Sequence, residues 1–348
     1  MAPLSLPISL LDRANSREGS TEEEALRAVL ERAGRAERLG YSRFWVAEHH
    51  GVPGIAGSAP AVLMAALAAR TGTIRIGSGG IMLPNHRPLV VAEQAATLSA
   101  LYPGRIDLGL GRSVGFTSAV RRALGADKRE AEQFSEHLTE LLGYLDGTAA
   151  VTARPRDAGR TPLFVLATGS GVDIAAHAGL AVVVGGPALF RRNSAGRSEV
   201  LERYRSRFRP STRFARPYVI AAVNVAVADT EQAAARLLLP EAHALAESRL
   251  SGSFPALSAA PVDVAADTPV SGSGRREEMV RTTLAGSIYG TPADVERQIA
   301  ELVSATGADE LMVTGGAFDI AGQQESDRLL AGILGRGWAS GASAPPRT

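Results

Sequence analysis

The helix–strand pattern of this chain is clearest in residues 21–50, which read TEEEALRAVLERAGRAERLGYSRFWVAEHH. Apolar residues recur at helical spacing across residues 26–39. Thr21 is suited to cap the start of this helix and Gly40 to end it. The stretch Ser42–Glu48 follows at once and is rich in the aromatic and β-branched residues that favour strands. A helix followed directly by such a strand predicts a parallel sheet if the unit recurs.

The unit does recur along the 348 residues. The strand candidates are Leu4–Leu10, Ser42–Glu48, Thr73–Gly77, Arg105–Leu110, Leu163–Ala167, Leu180–Val184, Tyr218–Val227 and Leu311–Thr314. Most of them are followed by a helical pattern. Eight β–α units in a chain of this length predict an α/β fold of the TIM (β/α)8 barrel type, with loop excursions. An open, doubly wound parallel sheet is the alternative.

One domain over residues 1–336 is predicted, because the composition does not change along this range. Ser251–Gly274 interrupts the pattern, since it is rich in Ser, Pro, Ala and Gly and has no periodicity. We predict that this segment, at about 250–274, is a mobile excursion that could act as a lid. Residues 337–348 are predicted to be a disordered tail.

Composition excludes several function classes. The chain has 37 Lys+Arg against 36 Asp+Glu, so no global field would hold nucleic acid or an anionic membrane. It has no cysteine, which excludes disulfides, thiol nucleophiles and thiolate metal sites. No signal peptide or transmembrane stretch is found, so a cytoplasmic location is expected. Lys128 is the single lysine and is surrounded by charges, which leaves arginine as the expected phosphate ligand.

Function in a TIM barrel lies at the carboxyl ends of the strands. The second strand ends in Glu48-His49-His50, and adjacent strand residues point to opposite faces, so at most one histidine enters a shared pocket. This predicts one catalytic histidine with a near-neutral pKa, positioned by Glu48. No metal site is predicted, because no third ligand is obvious. His86 is the other histidine expected at this end of the barrel.

Glycine and hydroxyl residues gather at three further strand ends. We expect them to form a pocket for a flat cofactor that carries a phosphate, with an arginine fork on the phosphate. Three glycines in four residues weaken a strand, so they need either a strained backbone or the close approach of a ligand. The predicted cofactor-binding residues are Ser78, Gly79, Gly80, Arg112, Ala167, Thr168, Gly169, Ser170 and Gly171.

These motifs together resemble the bacterial luciferase-like flavin-dependent monooxygenases. The matching elements are Trp45 with Glu48-His49-His50, Gly79–Pro84, Pro103–Arg112 and Gly290–Val295, which span nearly the whole chain. Ser9–Asp12 is similar to the first strand of a subgroup that includes enzymes of polyketide tailoring.

The resemblance implies a TIM barrel that binds reduced FMN at the C-terminal mouth. Reaction with O2 would give a C4a-(hydro)peroxyflavin that oxygenates a small organic or natural-product substrate. A separate NAD(P)H-dependent flavin reductase would supply the FMNH2, and a homodimer through the early helices is expected. His49 matches the active-site base, Gly79-Gly80 a non-prolyl cis peptide, and Arg112 the phosphate-binding arginine. Ala167–Gly171 matches the segment that holds phosphate and ribityl.

The chain departs from luciferase itself at two positions. Leu110 replaces a cysteine and Ala167 replaces an acidic residue, so luminescence is not implied. Some relatives use the deazaflavin F420 as dehydrogenases or reductases, and the motifs leave that alternative open. A non-catalytic flavin-binding partner subunit is a further alternative. A sugar-phosphate isomerase or lyase would need a carboxylate pair or metal cluster that the sequence does not offer.

Overall fold

The computed structural model describes residues 6–115, 117–126, 128–156, 161–259 and 274–334. Within these ranges eight parallel strands form a closed barrel, and two short strands extend its C-terminal rim. The barrel strands are β1 (Ile8–Asp12), β2 (Arg43–Val46), β3 (Arg75–Ser78), β5 (Ile106–Gly111), β6 (Leu163–Ala167), β7 (Ala181–Gly185), β8 (Val219–Val227) and β10 (Glu310–Thr314). The rim strands are β4 (Ile81–Met82) and β9 (Ile288–Gly290).

Closure of the sheet depends on the last strand. β10 pairs in parallel with β1 on one side and with β8 on the other. The register places Leu10 opposite both Val313 and Phe44. The TIM-barrel prediction is therefore confirmed, and all eight predicted strands lie in the barrel. The open-sheet alternative is wrong, because an open sheet would leave β1 and β8 unpaired on their outer sides.

Helices surround the barrel. Their bounds are α1 (Glu22–Arg38), α2 (Pro60–Arg70), α3 (Pro88–Leu101), α4 (Ser118–Leu124), α5 (Lys128–Glu132), α6 (Phe134–Asp146), α7 (Gly171–His177), α8 (Pro187–Phe190), α9 (Glu199–Arg207), α10 (Glu231–Ser251), α11 (Arg275–Ala285), α12 (Pro292–Thr306) and α13 (Ile320–Leu334). Thr21 caps α1 as predicted: its hydroxyl accepts from the Glu24 amide while the Glu24 carboxylate accepts from the Thr21 amide.

The interior of the barrel is layered, and the layers position the site. At the N-terminal end, the guanidinium of Arg43 is buried between the carboxylates of Asp107 and Glu310. Above it, the rings of Trp45 and Phe164 meet edge to face, with centroids 5.2 Å apart. These two layers fill the lower barrel, so a ligand can enter only at the C-terminal end.

The first part of the predicted excursion is anchored to the rim. The amide of Gly54 donates to the carbonyl of Phe254, and the amide of Leu257 donates to the carbonyl of Ser16. Phe254 and Leu257 are both buried. The remainder of the excursion, residues 260–273, and the predicted tail at 337–348 lie outside the described residues. No helix in the described ranges has both the length and the apolarity needed to cross a membrane.

Candidate functional site

A cavity of about 390 Å³ opens at the C-terminal end of the barrel. Its apolar walls come from five different strands and include Leu11, Leu166, Val183, Ala222 and Met312. Polar groups and glycines line the rest: Glu48, His49, Gly79, Gly80, Gly111, Arg112, Ser113, Thr168, Gly169, Gly171 and Gly185. An apolar slot with polar groups along one part of its lining is the usual form of a cofactor site.

Gly79 and Gly80 form one wall of the cavity, and the peptide bond between them is cis, as the resemblance implied. A Cβ on Gly80 would lie 2.9 Å from the carbonyl oxygen of Gly109. A Cβ on Gly79 would lie 2.6 Å from Cδ1 of Leu11. Backbone packing thus disfavours a side chain at Gly80, whereas a side chain at Gly79 would require Leu11 to move. The wall that the two glycines form carries no side chains.

Ser78 does not line the cavity, which corrects the prediction that it binds the cofactor. Its side chain is fully buried. The hydroxyl donates to the carbonyl of Gly109 at 2.8 Å and accepts from the amide of Gly109 at 2.9 Å. Ser78 therefore links β3 to β5 where the two backbones come close together.

The predicted phosphate side of the site is assembled at the mouth. Arg112 Nη1 donates to Ser170 Oγ at 3.0 Å, and both residues are exposed. Ala167, Thr168, Gly169 and Gly171 line the cavity together with Arg112, whereas Ser170 is not one of the lining residues. The mouth thus offers a guanidinium, hydroxyls and a glycine-rich turn to an anion.

Sequence reasoning missed Arg203, which lies behind this turn on α9. Its Nη2 donates to the carbonyl of Gly169 at 3.0 Å, and its Nε lies 3.2 Å from the carboxylate of Asp173. The arginine-rich composition of α9 is the only signal in the sequence, and it gives no partner.

His49 lines the cavity, and its backbone amide is fixed by the carbonyl of Gly57 at 2.9 Å. Burial, with a smaller contribution from the positive charge of Arg13, lowers the pKa of its imidazole to about 3 against the opposing effect of Glu48. The expected near-neutral pKa is therefore wrong. At neutral pH the ring is uncharged, so it can offer one nitrogen as a donor and one as an acceptor.

Glu48 is buried beside His49, but its hydrogen bonds go elsewhere. Oε1 lies 2.8 Å from His50 Nε2, and Oε2 lies 2.9 Å from His86 Nε2. The Met82 amide and Asn85 Nδ2 also donate to this carboxylate. The prediction that Glu48 positions His49 is corrected accordingly: the carboxylate holds His50 and His86.

The ionisation of Glu48 reflects these bonds. Burial raises the pKa of its carboxyl, but the hydrogen bonds and the charge of His86 lower it more, with further lowering from Met82 and Asn85. The net pKa lies below the ordinary value for glutamate. Glu48 is therefore a buried carboxylate anion at neutral pH.

Comparison with known sequences gives a consistent picture. A family model described as luciferase-like monooxygenase matches residues 7–310. A protein of Escherichia coli K12 named luciferase-like monooxygenase is 37% identical over 330 residues, which cover 92% of this chain and 94% of that protein. The N-acetyl-S-alkylcysteine monooxygenase of Bacillus subtilis is 43% identical over 167 residues, 46% of this chain and 50% of that one.

Solved structures agree on the fold. The apo structure of MsnO8 has a TM-score of 0.79 at 32% identity and covers 98% of this chain and 100% of that chain. The oxygenating constituent of 3,6-diketocamphane monooxygenase from Pseudomonas putida, in complex with FMN, has a TM-score of 0.70 at 18% identity, covering 96% and 99%. An F420-dependent secondary alcohol dehydrogenase has a TM-score of 0.67 at 14% identity, covering 95% and 99%.

Proposed function

The chain belongs to the luciferase-like monooxygenase family, and from that membership we propose that it uses FMNH2 and O2 to oxygenate a small organic or natural-product substrate. An oxidoreductase of the monooxygenase type is what its family relatives support. The proposal includes reduced FMN as the cofactor, a separate NAD(P)H-dependent reductase as the source of that FMN, and a homodimer as the assembly.

One observation carries the choice of cofactor, namely the shape and charge of the cavity. The wall at Gly79 and Gly80 has no side chains, and apolar side chains from the other strands line the rest, which suits a planar ring. The mouth holds Arg112 beside the Ser170 hydroxyl, which suits a phosphate monoester. Within the described part of the chain, no carboxylate lies within 4 Å of Arg112 to neutralise it.

The residues of the chain have separable roles in this proposal. Bound FMNH2 supplies the electrons that activate O2. Arg112 and the turn Ala167–Gly171 hold the phosphate and the ribityl chain, and the glycine wall orients the ring. His49, neutral and half-buried at the cavity edge, holds or accepts a proton from the reacting groups. Glu48 acts as a positioning residue through His50 and His86 rather than by touching the substrate.

The experiment is an anaerobic titration of the protein with FMNH2, run beside reduced F420, followed by admission of O2. Tight binding of FMNH2, then O2 uptake that yields oxygenated product with little hydrogen peroxide, is expected with a suitable substrate. Candidate substrates include S-alkylcysteine derivatives, because one relative carries that activity in its name. Tight binding of reduced F420 without O2 uptake would support a dehydrogenase instead. Binding without turnover on any substrate would leave a flavin-binding partner subunit.

A further inference from the structure

Glu48, His50 and His86 form a cluster to which the proposed chemistry assigns a positioning role only. Their ligand atoms, one carboxylate oxygen and two ring nitrogens, all lie within 4.8 Å of one another. Glu48 and His50 follow β2, while His86 follows the turn of 3-10 helix at Leu83–Asn85. No third ligand is evident from the sequence because His86 lies 36 positions from His50 and 38 from Glu48, and only the fold brings it to them.

The cluster is centred on a buried carboxylate. The Glu48 carboxylate is fully buried, and in the described residues the two imidazoles are the only potentially cationic side chains within 4 Å of it. A divalent cation bound here would place a positive charge directly beside the buried carboxylate.

The surroundings of the carboxylate match those of metal-bound carboxylates. The Met82 amide donates to Oε2 at 3.0 Å and Asn85 Nδ2 donates to Oε1 at 3.2 Å. Hydrogen bonds of this kind fix the orientation of a ligating carboxylate. Each oxygen also lies 2.8 or 2.9 Å from one imidazole nitrogen, which is a hydrogen-bond distance. A tetrahedral ion would hold the same atoms about 3.3 Å apart, so binding requires only a small outward shift of each ring.

We propose that Glu48, His50 and His86 bind one divalent transition-metal ion, with Zn²⁺ as the representative of its class. Two imidazole nitrogens and one carboxylate are a donor set that suits Zn²⁺ and its neighbours rather than Mg²⁺ or Ca²⁺. The side chains of His50 and His86 are 23% and 31% exposed, so an ion can enter from solvent and keep water as a further ligand.

Binding requires a change of protonation at the two rings. In the hydrogen-bonded arrangement, Nε2 of each ring is protonated and donates a hydrogen bond to the Glu48 carboxylate. For the ion to bind, each Nε2 must present its lone pair, so its proton either moves to Nδ1 of the same ring or leaves to solvent. The inference does not depend on the proposed monooxygenase activity, since it concerns only metal affinity.

The test is a titration of the full chain, freed of metal by a chelator, with Zn²⁺ in competition with a chromophoric chelator. We expect one ion per chain. His50→Ala and His86→Ala should each weaken binding at least about tenfold, since loss of even a supporting contact to a metal ligand costs about that much. His177→Ala is the matched control, because His177 is an exposed histidine on α7. Mg²⁺ should not compete.

Two results would overturn the proposal. One is a wild-type Zn²⁺ affinity no tighter than that of the His50→Ala/His86→Ala double variant, which would leave a hydrogen-bonded cluster only. The other is equal weakening by His177→Ala, which would mean that scattered surface histidines bind the ion. If an alanine variant fails to fold, His86→Gln retains a hydrogen-bond donor for Glu48, and the visible absorption of bound Co²⁺ should still differ from wild type.

Discussion

His49 is the residue on which the proposed chemistry depends most directly. It lines the cavity with a ring that is neutral at neutral pH. We expect His49→Ala to keep cofactor binding but to lower product formation about 10²- to 10⁴-fold, the usual contribution of a positioned acid or base. Flavin titration and product mass would be measured on the same sample, with His177→Ala as control. Wild-type turnover in the variant would refute the assignment.

The low pKa of His49 also predicts how the stability of the fold depends on pH. Its pKa is about 3 in the folded chain and about 6.5 when unfolded, so between these values the unfolded state binds more protons. His49 therefore destabilises the fold increasingly as the pH falls below about 6.5. On moving from pH 8 to pH 5, His49→Gln should lose roughly 2 kcal/mol less stability than wild type, as measured by urea denaturation. A His177→Gln variant should follow wild type, and identical pH dependence in both variants would contradict the burial of His49.

Substitution of Arg112 tests whether this residue binds the phosphate of the cofactor. A charge-assisted hydrogen bond contributes about 1.5–3 kcal/mol. Arg112→Gln should therefore weaken binding of reduced FMN by about ten- to a hundredfold. Reduced riboflavin, which has no phosphate, should bind wild type and variant alike. Equal loss for both ligands would mean that Arg112 shapes the cavity and does not bind the phosphate.

The location of a site residue could be predicted from the sequence where its position at the end of a strand was enough to place it. His49, Arg112 and most of the turn Ala167–Gly171 line the cavity because strand ends meet at one end of a barrel, and their roles toward a cofactor stay predictions. Ser78 was misassigned because the sequence does not show that its hydroxyl bonds to the backbone of β5. The sequence did not indicate the contact of Arg203 with Gly169 or the contact of His86 with Glu48, because in each pair the two residues are distant in sequence.

Among the elements, β5 shows how closely the strands approach below the cavity. A Cβ on Gly109 would lie 2.0 Å from the carbonyl oxygen of Ser78, whereas a Cβ on Gly111 would meet nothing nearer than 3.9 Å. Gly109→Ala must displace backbone and should cost at least about 1–3 kcal/mol of unfolding free energy.

The control for this substitution lies on the same strand. Gly111→Ala should change the unfolding free energy by no more than about 0.5 kcal/mol, because the added methyl group has space. Urea denaturation of the two variants would measure the difference. Equal stability of both would show that β3 and β5 can separate at little cost.

Elements with strong local signals were predicted well, and the others were not. The strand Leu163–Ala167 has the predicted bounds, because an uninterrupted apolar run forms it. A proline at the start predicts a helix over Pro88–Leu101, and the structure has the same bounds. The polar–apolar pattern predicts one helix over Arg129–Leu145, but the structure has α5 and α6, separated at Gln133, because such a pattern does not reveal a break. The pattern also predicts a helix over Ser326–Leu334, which in the structure begins earlier, at Ile320.

Several short or polar elements were missed altogether, and α11 and β9 are two examples. The helix Arg275–Ala285 is strongly charged and has little apolar periodicity, and it is held by packing against α10. The strand Ile288–Gly290 has only three residues and depends on its pairing with β8. Tertiary contacts determine the secondary structure of such short or polar segments, and the local sequence does not reveal those contacts.

At the scale of the whole molecule, a buried charge network holds the barrel closed at its N-terminal end. Arg43 on β2 bonds to Glu310 on β10 and to Asp107 on β5, and all three side chains are buried. Arg43→Met would leave Glu310 without its cation and should cost about 3–5 kcal/mol of unfolding free energy.

An exposed arginine provides the comparison. Arg27→Met removes an ion pair with Glu23 on the surface of α1 and should change stability by less than about 1 kcal/mol. Chemical denaturation of both variants gives the measurement. A similar midpoint for both would show that the network contributes little to closure.

The position of β10 between β1 and β8 has a consequence for synthesis on the ribosome. The strand that completes the barrel, Glu310–Thr314, is translated long after the first strand, Ile8–Asp12. At about 5–20 residues per second, the first strand waits roughly 15–60 seconds for its partner. During that interval the nascent sheet exposes two unpaired edges. A cell that makes this protein must therefore shield those edges until translation has passed residue 314.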